Sequence, residues 1–285
     1  MNSTILNVIK QNNPKTVDEA KSILREILQS IVLAGLSKSG FFGVASFYGG
    51  TALRIFYGLN RYSEDLDFTL NAVSDSFSID PYVVSIKETA RSFGLDLSVS
   101  VKEKKIRTPI ESAFAKINTY QTLFELKIND SIVRRLHKDE SIKVKLEIDC
   151  NPALGFKTSV KWTDMMEFAP VVVLDASSLF AGKIHAILCR NYKNAVKGRD
   201  YYDFAFFVMN KVKPNMDYLR NKLVNTGKLE ESAPFNIEIL KKMVNARIDL
   251  VDFELAKKDA ERFLMQIDDL AYFNKDFFHQ LVERL

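Results

Sequence analysis

Residues 48–70 read YGGTALRIFYGLNRYSEDLDFTL, from Tyr48 to Leu70. An apolar run, Phe41 to Phe47, leads into Gly49-Gly50-Thr51, and Ala52-Leu53-Arg54-Ile55-Phe56 follows. This order predicts strand, glycine turn and helix. Further on, Asp65-Leu66-Asp67 opens a return strand, Leu66-Asp67-Phe68-Thr69-Leu70. Side chains alternate faces along a strand, so Asp65 and Asp67 share one face. Two carboxylates on one face repel each other unless a cation sits between them. Hard divalent ions such as Mg²⁺ take one or two carboxylates plus substrate phosphates.

Glycines let a phosphate approach the backbone, and a helix N-terminus offers N–H groups to an anion. Thr51 adds a hydroxyl at that point. Gly-Gly-Thr alone suits any strand–helix turn, and D-x-D alone suits a pair of surface aspartates. Their combination with a return strand argues for a metal–nucleotide site.

GGTALR followed by R-x-SEDLDF resembles the AbiEii/AbiGii-type nucleotidyltransferases, toxin halves of bacterial abortive-infection and toxin–antitoxin pairs. These belong to the polymerase-beta-like superfamily, marked by a GS or GG turn followed by D-x-D. The resemblance runs from Tyr48 to about Phe204. It implies Mg²⁺-dependent transfer of a nucleotide from an NTP to an acceptor, for several members a tRNA end, with a cognate antitoxin as partner. Gly49, Gly50, Thr51 and Ser63 are then nucleotide-binding residues. Gly50 stands where the superfamily often has Ser, which leaves Thr51 as the substitute hydroxyl.

Two later segments extend the resemblance. In Ile142–Cys150, Lys143, Lys145, Glu147 and Asp149 alternate with Val144, Leu146 and Ile148. That is the pattern of a half-buried strand, or of an edge strand with alternating charges. The family implies a third carboxylate from such a strand, Glu147 or alternatively Asp149, completing a metal set with Asp65 and Asp67. The second segment runs from Asp175, a good helix N-cap, through Lys183 and Arg190 to Arg199-Asp200 and Asp203. Lys183 and Arg190 are seven residues apart and share a helix face. From Lys183 through Arg199 the chain has no Asp or Glu, which suits a triphosphate or a nucleic-acid backbone. The family's K-x-x-A-x-x-x-R and R-D-x-x-D motifs match here. They imply that Lys183 and Arg190 contact the triphosphate and that Asp200 supports the site.

Composition fits a folded protein: 285 residues, 47% hydrophobic and 27% charged, net charge +4. That charge permits an RNA partner without requiring one. Basic groups able to track its backbone are Lys102, Lys104, Lys105, Arg107, Arg134, Arg135, Lys193 and Lys197. Cys150 and Cys189 form no C-x-x-C and read as reduced core thiols. The three histidines are scattered, against a His-based zinc site. The N-terminus lacks a basic region followed by a long apolar run, and no stretch suffices to span a membrane. A cytoplasmic protein is expected.

The expected fold is α/β (α+β): a mixed-sheet nucleotidyltransferase lobe with an N-terminal helix, 1–174, then an all-helical lobe, 175–285. Thr16–Glu19 is a capping-box signature opening a long helix that Gly35 or Gly40 ends. Another helix ends at Gly94. Leu95–Val101 and Thr119–Ile128 are strand candidates, and Val251–Leu270 and Tyr272–Leu285 close the helical lobe. The aromatic run Tyr201, Tyr202, Phe204, Phe206, Phe207 reads as core.

The expected chemistry is a two-metal phosphoryl transfer in a cleft between the lobes. Two Mg²⁺ ions would be held by Asp65, Asp67 and Glu147, with Glu147 the candidate base. A kinase-like phosphotransferase at the same metal site is an alternative, distinguished by its diphosphate product. A non-catalytic partner-binding module is another.

Overall fold

The computed structural model describes residues 3–102, 108–126, 128, 130–190, 196–265 and 270–285, the side chains of 130 and 131 excepted. Lys104, Lys105, Arg107 and Lys193 lie outside the described residues. The chain divides into two compact units. The first holds Met1–Tyr48, Glu64–Pro152 and Val160–Val173; the second holds Gly49–Ser63, Ala153–Ser159 and Leu174–Leu285.

The first unit is built on a mixed sheet ordered β3-β4-β5-β2-β1-β7-β6. Its strands are β1 (Ala45–Tyr48), β2 (Leu66–Leu70), β3 (Ser98–Val101), β4 (Ile110–Asn118), β5 (Ser141–Asp149), β6 (Thr158–Thr163) and β7 (Ala169–Leu174). β1 runs antiparallel to β2, while β2–β5 and β1–β7 are parallel. The chain is therefore an α/β protein with a mixed sheet, as expected.

The period-2 pattern of these strands buries one face. Phe47, Phe68, Leu66, Leu146, Ile148, Val144 and Ala113 are all inaccessible to solvent. Helix α1 (Ser3–Asn12) precedes α2 (Val17–Lys38), which packs on β5 and on α4 (Asp80–Ser92). Phe41, Phe68 and Tyr82 meet edge to face, with ring centroids 5.0 and 5.1 Å from Phe41.

Thr16 caps α2 as expected, its Oγ1 accepting from the Glu19 backbone N–H at 3.1 Å. Gly35 does not end the helix. A Cβ there would lie 2.6 Å from the Ile86 Cα, so this glycine lets α2 and α4 approach closely. The helix ends at Lys38, capped by Ser39, before Gly40 at φ +78°.

Two sequence expectations need correction here. Thr119–Ile128 is not a strand: α5 (Thr119–Glu125) occupies it, followed by the short α6 (Asp130–Val133). The Asn118 side chain accepts from the Gln121 N–H at 2.7 Å and sets this helix start. The strand is the preceding β4, whose inward positions Ala113 and Ala115 have low strand propensity. Glu111, also inward, accepts from the Ile79 N–H at 2.5 Å at the entrance to α4. In the second correction, the strand expected over Leu95–Val101 covers only Ser98–Val101.

The second unit is helical: α3 (Gly49–Tyr57), α7 (Ala176–Cys189), α8 (Gly198–Met209), α9 (Met216–Asn225), α10 (Ile237–Asp249), α11 (Phe253–Glu261) and α12 (Lys275–Glu283). The helix expected over Val251–Leu270 thus spans only Phe253–Glu261 among the described residues. Side-chain caps start the helices in sequence: Asp175 on Ser178 N, Asn215 on Tyr218 N, Asn236 on Ile239 N, Asn274 on Phe277 N. α7 packs on α3, α8, α9 and α10, and α8 packs on α11 and α12. Tyr201, Phe204 and Phe207 are buried among Phe180, Phe253 and Phe278, the core role expected of them. Among the described residues no helix is long and apolar enough to cross a membrane.

Candidate active site

The first unit carries the carboxylates. Asp67 on β2 is the register partner of Glu147 on the parallel β5. Tyr48 on β1 is the antiparallel partner of Asp67, and Ser112 on β4 that of Glu147. A polar row Tyr48–Asp67–Glu147–Ser112 therefore crosses four strands on the face opposite the apolar core. Leu66, Phe68, Leu146 and Ile148 are buried on the other face, while Asp67 and Glu147 are half-buried. Neighbouring strands lie about 4.8 Å apart, so the two carboxylates are adjacent.

Asp65 sits one residue before β2, exposed, with buried Leu66 between it and Asp67. The loop that delivers it is held from α2: Gln29, itself buried, donates its Nε2 to the Glu64 carbonyl at 3.1 Å, and Arg25 pairs with the Glu64 carboxylate at 3.5 Å.

Glu147 and Asp149 stand differently. Asp149 has Thr69 as register partner, and its Oδ1 accepts from the Asn151 N–H at 3.0 Å, closing a turn. Glu147 lies beside Asp67 and accepts from Lys145 Nζ at 2.6 Å. Among the described residues no three His, Cys, Asp or Glu side chains are gathered as a metal-ion cluster. The row thus offers two adjacent carboxylates rather than an all-protein cage. Such a donor set fits Mg²⁺, which keeps waters and binds one or two carboxylates together with phosphates.

A cavity of 410 Å³ in this unit is elsewhere. Asn118 and Ser141 line it, and they are partners at the opposite end of β5 from Glu147. Ser141 and Glu147 are six residue steps apart along the strand, about 20 Å.

The second unit carries the glycine turn and the basic residues. Gly49 opens α3 at φ +85°, a conformation that favours glycine. Gly50 and Thr51 are buried, while Gly49 and Ser63 are half-buried. A Cβ on Gly50 would lie 2.6 Å from Arg61 Nη2 and 2.9 Å from Ser63 Oγ. Arg61 donates from Nε and Nη2 to the two oxygens of Asp203, both at 2.7 Å, and from Nη1 to the Tyr62 carbonyl at 2.9 Å.

Lys183 lies 2.6 Å from Asp203 Oδ2 and 3.7 Å from Asp200 Oδ1, and Asp200 also pairs with Arg190. Burial alone would push the Asp203 carboxyl up. Arg61 and Lys183 outweigh this and hold it below its ordinary value. Arg190 is one residue past α7 and extended, so it does not share the helix face of Lys183 as expected; the shared partner Asp200 brings the two together.

Lys197 and Arg199 flank the same region. The Lys197 ammonium is held below its ordinary pKa by partial burial and by the charges of Arg190 and Arg199. Arg199 pairs with Asp259 at 3.6 Å and lies over the Phe263 ring, 3.9 Å from its centroid. Arg61, Lys183, Arg190, Lys197 and Arg199 face Asp200, Asp203 and Asp259, leaving two formal positive charges in surplus. Arg134 and Arg135, on the first unit, are exposed after α6.

The sequence motifs include Arg61, in R-x-SEDLDF, and Asp203, in R-D-x-x-D, but gave neither a role in the site. The signal for Asp203 was present, since Asp200 and Asp203 are three apart and share a helix face. For Arg61 nothing local pointed to a partner 142 residues away.

Comparison with known proteins gives the family. No curated protein matches the chain. Among solved structures, a candidate nucleotidyltransferase from H. pylori is similar at 18% identity and TM-score 0.45, with 92% of this chain and 96% of that one covered. JHP933 from Helicobacter pylori is similar at 17% identity and TM-score 0.43, with 92% and 94% covered. A family model described as nucleotidyl transferase AbiEii toxin, type IV TA system, matches residues 31–281. The chain belongs to the AbiEii nucleotidyl transferase toxin family of type IV toxin–antitoxin systems.

Proposed function

We propose that this protein is a Mg²⁺-dependent nucleotidyltransferase that moves a nucleoside monophosphate from an NTP to an RNA acceptor, tRNA foremost. It does so in the cytoplasm as the toxin held in check by a cognate antitoxin protein. The observation that carries this reading is the register pairing of Asp67 with Glu147 on the polar face of the sheet. Asp67 and Glu147, with Asp65 from the preceding loop, are the residues that hold Mg²⁺, as one ion or two. When bound, magnesium neutralises phosphate charge and lowers the pKa of an acceptor hydroxyl.

The protein's own groups do the rest. Glu147 is the proton acceptor for the attacking hydroxyl; its pairing with Asp67, and the turn-closing bond of Asp149, favour it over Asp149. Gly49, Gly50, Thr51 and Ser63 form the nucleotide turn, with Gly49 and the first N–H groups of α3 nearest the phosphates. Lys183 and Arg190 bind the triphosphate, and Asp200 orients both. Arg134, Arg135, Lys193 and Lys197 contribute to the RNA backbone, so acceptor binding weakens as salt rises.

The test is incubation of the protein with each labelled NTP, Mg²⁺ and total tRNA. Label on RNA, surviving protease, with release of pyrophosphate, is the expected result. Diphosphate release would replace the reading with a kinase. Label that follows a protein band and resists nuclease would remove the RNA acceptor.

A further inference from the structure

We propose that Arg61 is the positioning residue of the phosphate-binding groups of the second unit, fixing the Lys183 ammonium and the approach to Gly50 together. This rests on the reading of Lys183 and the glycine turn as triphosphate ligands.

Arg61 is almost inaccessible, with 3% of its side chain exposed, and Asp203 is fully buried. A buried ion pair is weak evidence for stability, because apolar residues of similar volume often do as well. The geometry around this pair gives it another use. Asp203 Oδ2 is shared: Arg61 Nη2 donates to it at 2.7 Å, and Lys183 Nζ lies 2.6 Å away. Lys183 thus meets a carboxylate whose charge is already engaged by a bidentate guanidinium. Its ammonium is located by Asp203 without being fully neutralised, which leaves attraction for a phosphate. Without Arg61, the whole Asp203 charge falls on Lys183.

The same Nη2 packs against Gly50, where a Cβ would approach to 2.6 Å. One guanidinium therefore touches both the glycine turn and the carboxylate that locates the lysine. Its backbone is also held. Arg61 bridges Leu264, and the Tyr62 N–H donates to the Phe263 carbonyl at 2.8 Å. A lysine at this position keeps the charge but cannot form the fork.

The experiment is calorimetric titration of the full chain with inorganic triphosphate and with each NTP, Mg²⁺ present. It compares wild type, Arg61→Lys, Gly50→Ala and the double variant, with Tm measured for each. Arg61→Lys is expected to weaken triphosphate binding at least about tenfold, the scale of one lost charged hydrogen bond. Gly50→Ala should weaken it similarly by displacing Nη2. The double variant should be no weaker than the worse single variant, because lysine has no Nη2 to displace.

A structural role alone would lower Tm while leaving the dissociation constant unchanged in Arg61→Lys, and that result would overturn the proposal. Additive losses in the double variant would remove the Gly50 contact from it. Failure of the wild type to bind any triphosphate would overturn the underlying assignment of this unit, and the proposal with it.

Discussion

Asp67 and Glu147 face each other across the parallel pair β2–β5, and Tyr48 and Ser112 extend the row on either side. Two like charges held this close repel each other, and a divalent cation between them would relieve that repulsion. Asp67→Asn should therefore abolish Mg²⁺-dependent transfer, by at least about a hundredfold, the scale of one lost electrostatic contact in a transition state. Relief of repulsion should keep its Tm at or above wild type. Asp65→Asn should also lose activity. Labelled-NTP transfer and differential scanning calorimetry check both, and full activity in either variant would sink the metal assignment.

Lys145 gives a second test that needs no turnover. Its ammonium lies 2.6 Å from Glu147 Oε1 and competes with any cation for that carboxylate. Lys145→Met should tighten Mg²⁺ binding severalfold, since removing about 1 kcal/mol of competing ion pair is a factor of about five. Calorimetric titration with Mg²⁺ alone reads it. Mg²⁺ binding that does not tighten would mean that Glu147 is not a ligand.

What was legible in the sequence were features written locally. The strand–helix–strand order around Gly49, the 142–150 alternation and the Asp175 cap depend on neighbours a few residues away and appear where expected, although Gly49, Gly50 and Thr51 form the first turn of α3 rather than a separate turn and Asp65 lies just before β2. β4 was missed because alanines fill its inward positions, so burial and pairing with β5 override a weak propensity. Thr119–Glu125 forms α5 rather than a strand because its helical start is set by the Asn118 cap, which precedes the segment. At the site, Glu147 came from the family resemblance and its pairing with Asp67 only from the fold, while of the partners of Lys183 and Arg190 the sequence offered Asp200 alone. The acid-free run 183–199 suited a phosphate ligand, and in the structure Asp200, just beyond it, engages both Lys183 and Arg190 while Asp203 engages Lys183. Arg61 joins them only through the tertiary fold.

Gly198 tests the packing that sets Asp200 and Asp203 in place. A Cβ on Gly198 would lie 1.8 Å from the Ala256 carbonyl oxygen, which is backbone and cannot swing aside. Gly198→Ala must therefore part α8 from α11. Overpacking of this kind costs about 1–3 kcal/mol, a drop of roughly 3–10 °C in Tm for a chain of this size. Calorimetry checks it. An unchanged Tm would show that the close approach of the two helices is not maintained in solution.

His185 predicts a pH dependence of stability. It lies on α7 with Nε2 3.2 Å from the Thr226 hydroxyl. Burial first, then the charges of Lys222 and Arg190, lower its pKa from 6.5 to about 4. Between these values the unfolded chain binds a proton at this site that the folded chain does not. Stability therefore rises with pH through this window, is complete above about 6.5, and is lost as pH falls toward 4. After allowance for solvent screening, the change is on the order of 1–2 kcal/mol. Asp203, held below its ordinary value of 3.8, loses its contribution only at still lower pH, so the two effects separate. Urea denaturation at pH 7.5 and pH 5 should show lower stability at pH 5. His185→Gln, which keeps a hydrogen bond to Thr226 but cannot take up the proton, should flatten that difference. An equal pH dependence in the variant would place the titration on another group.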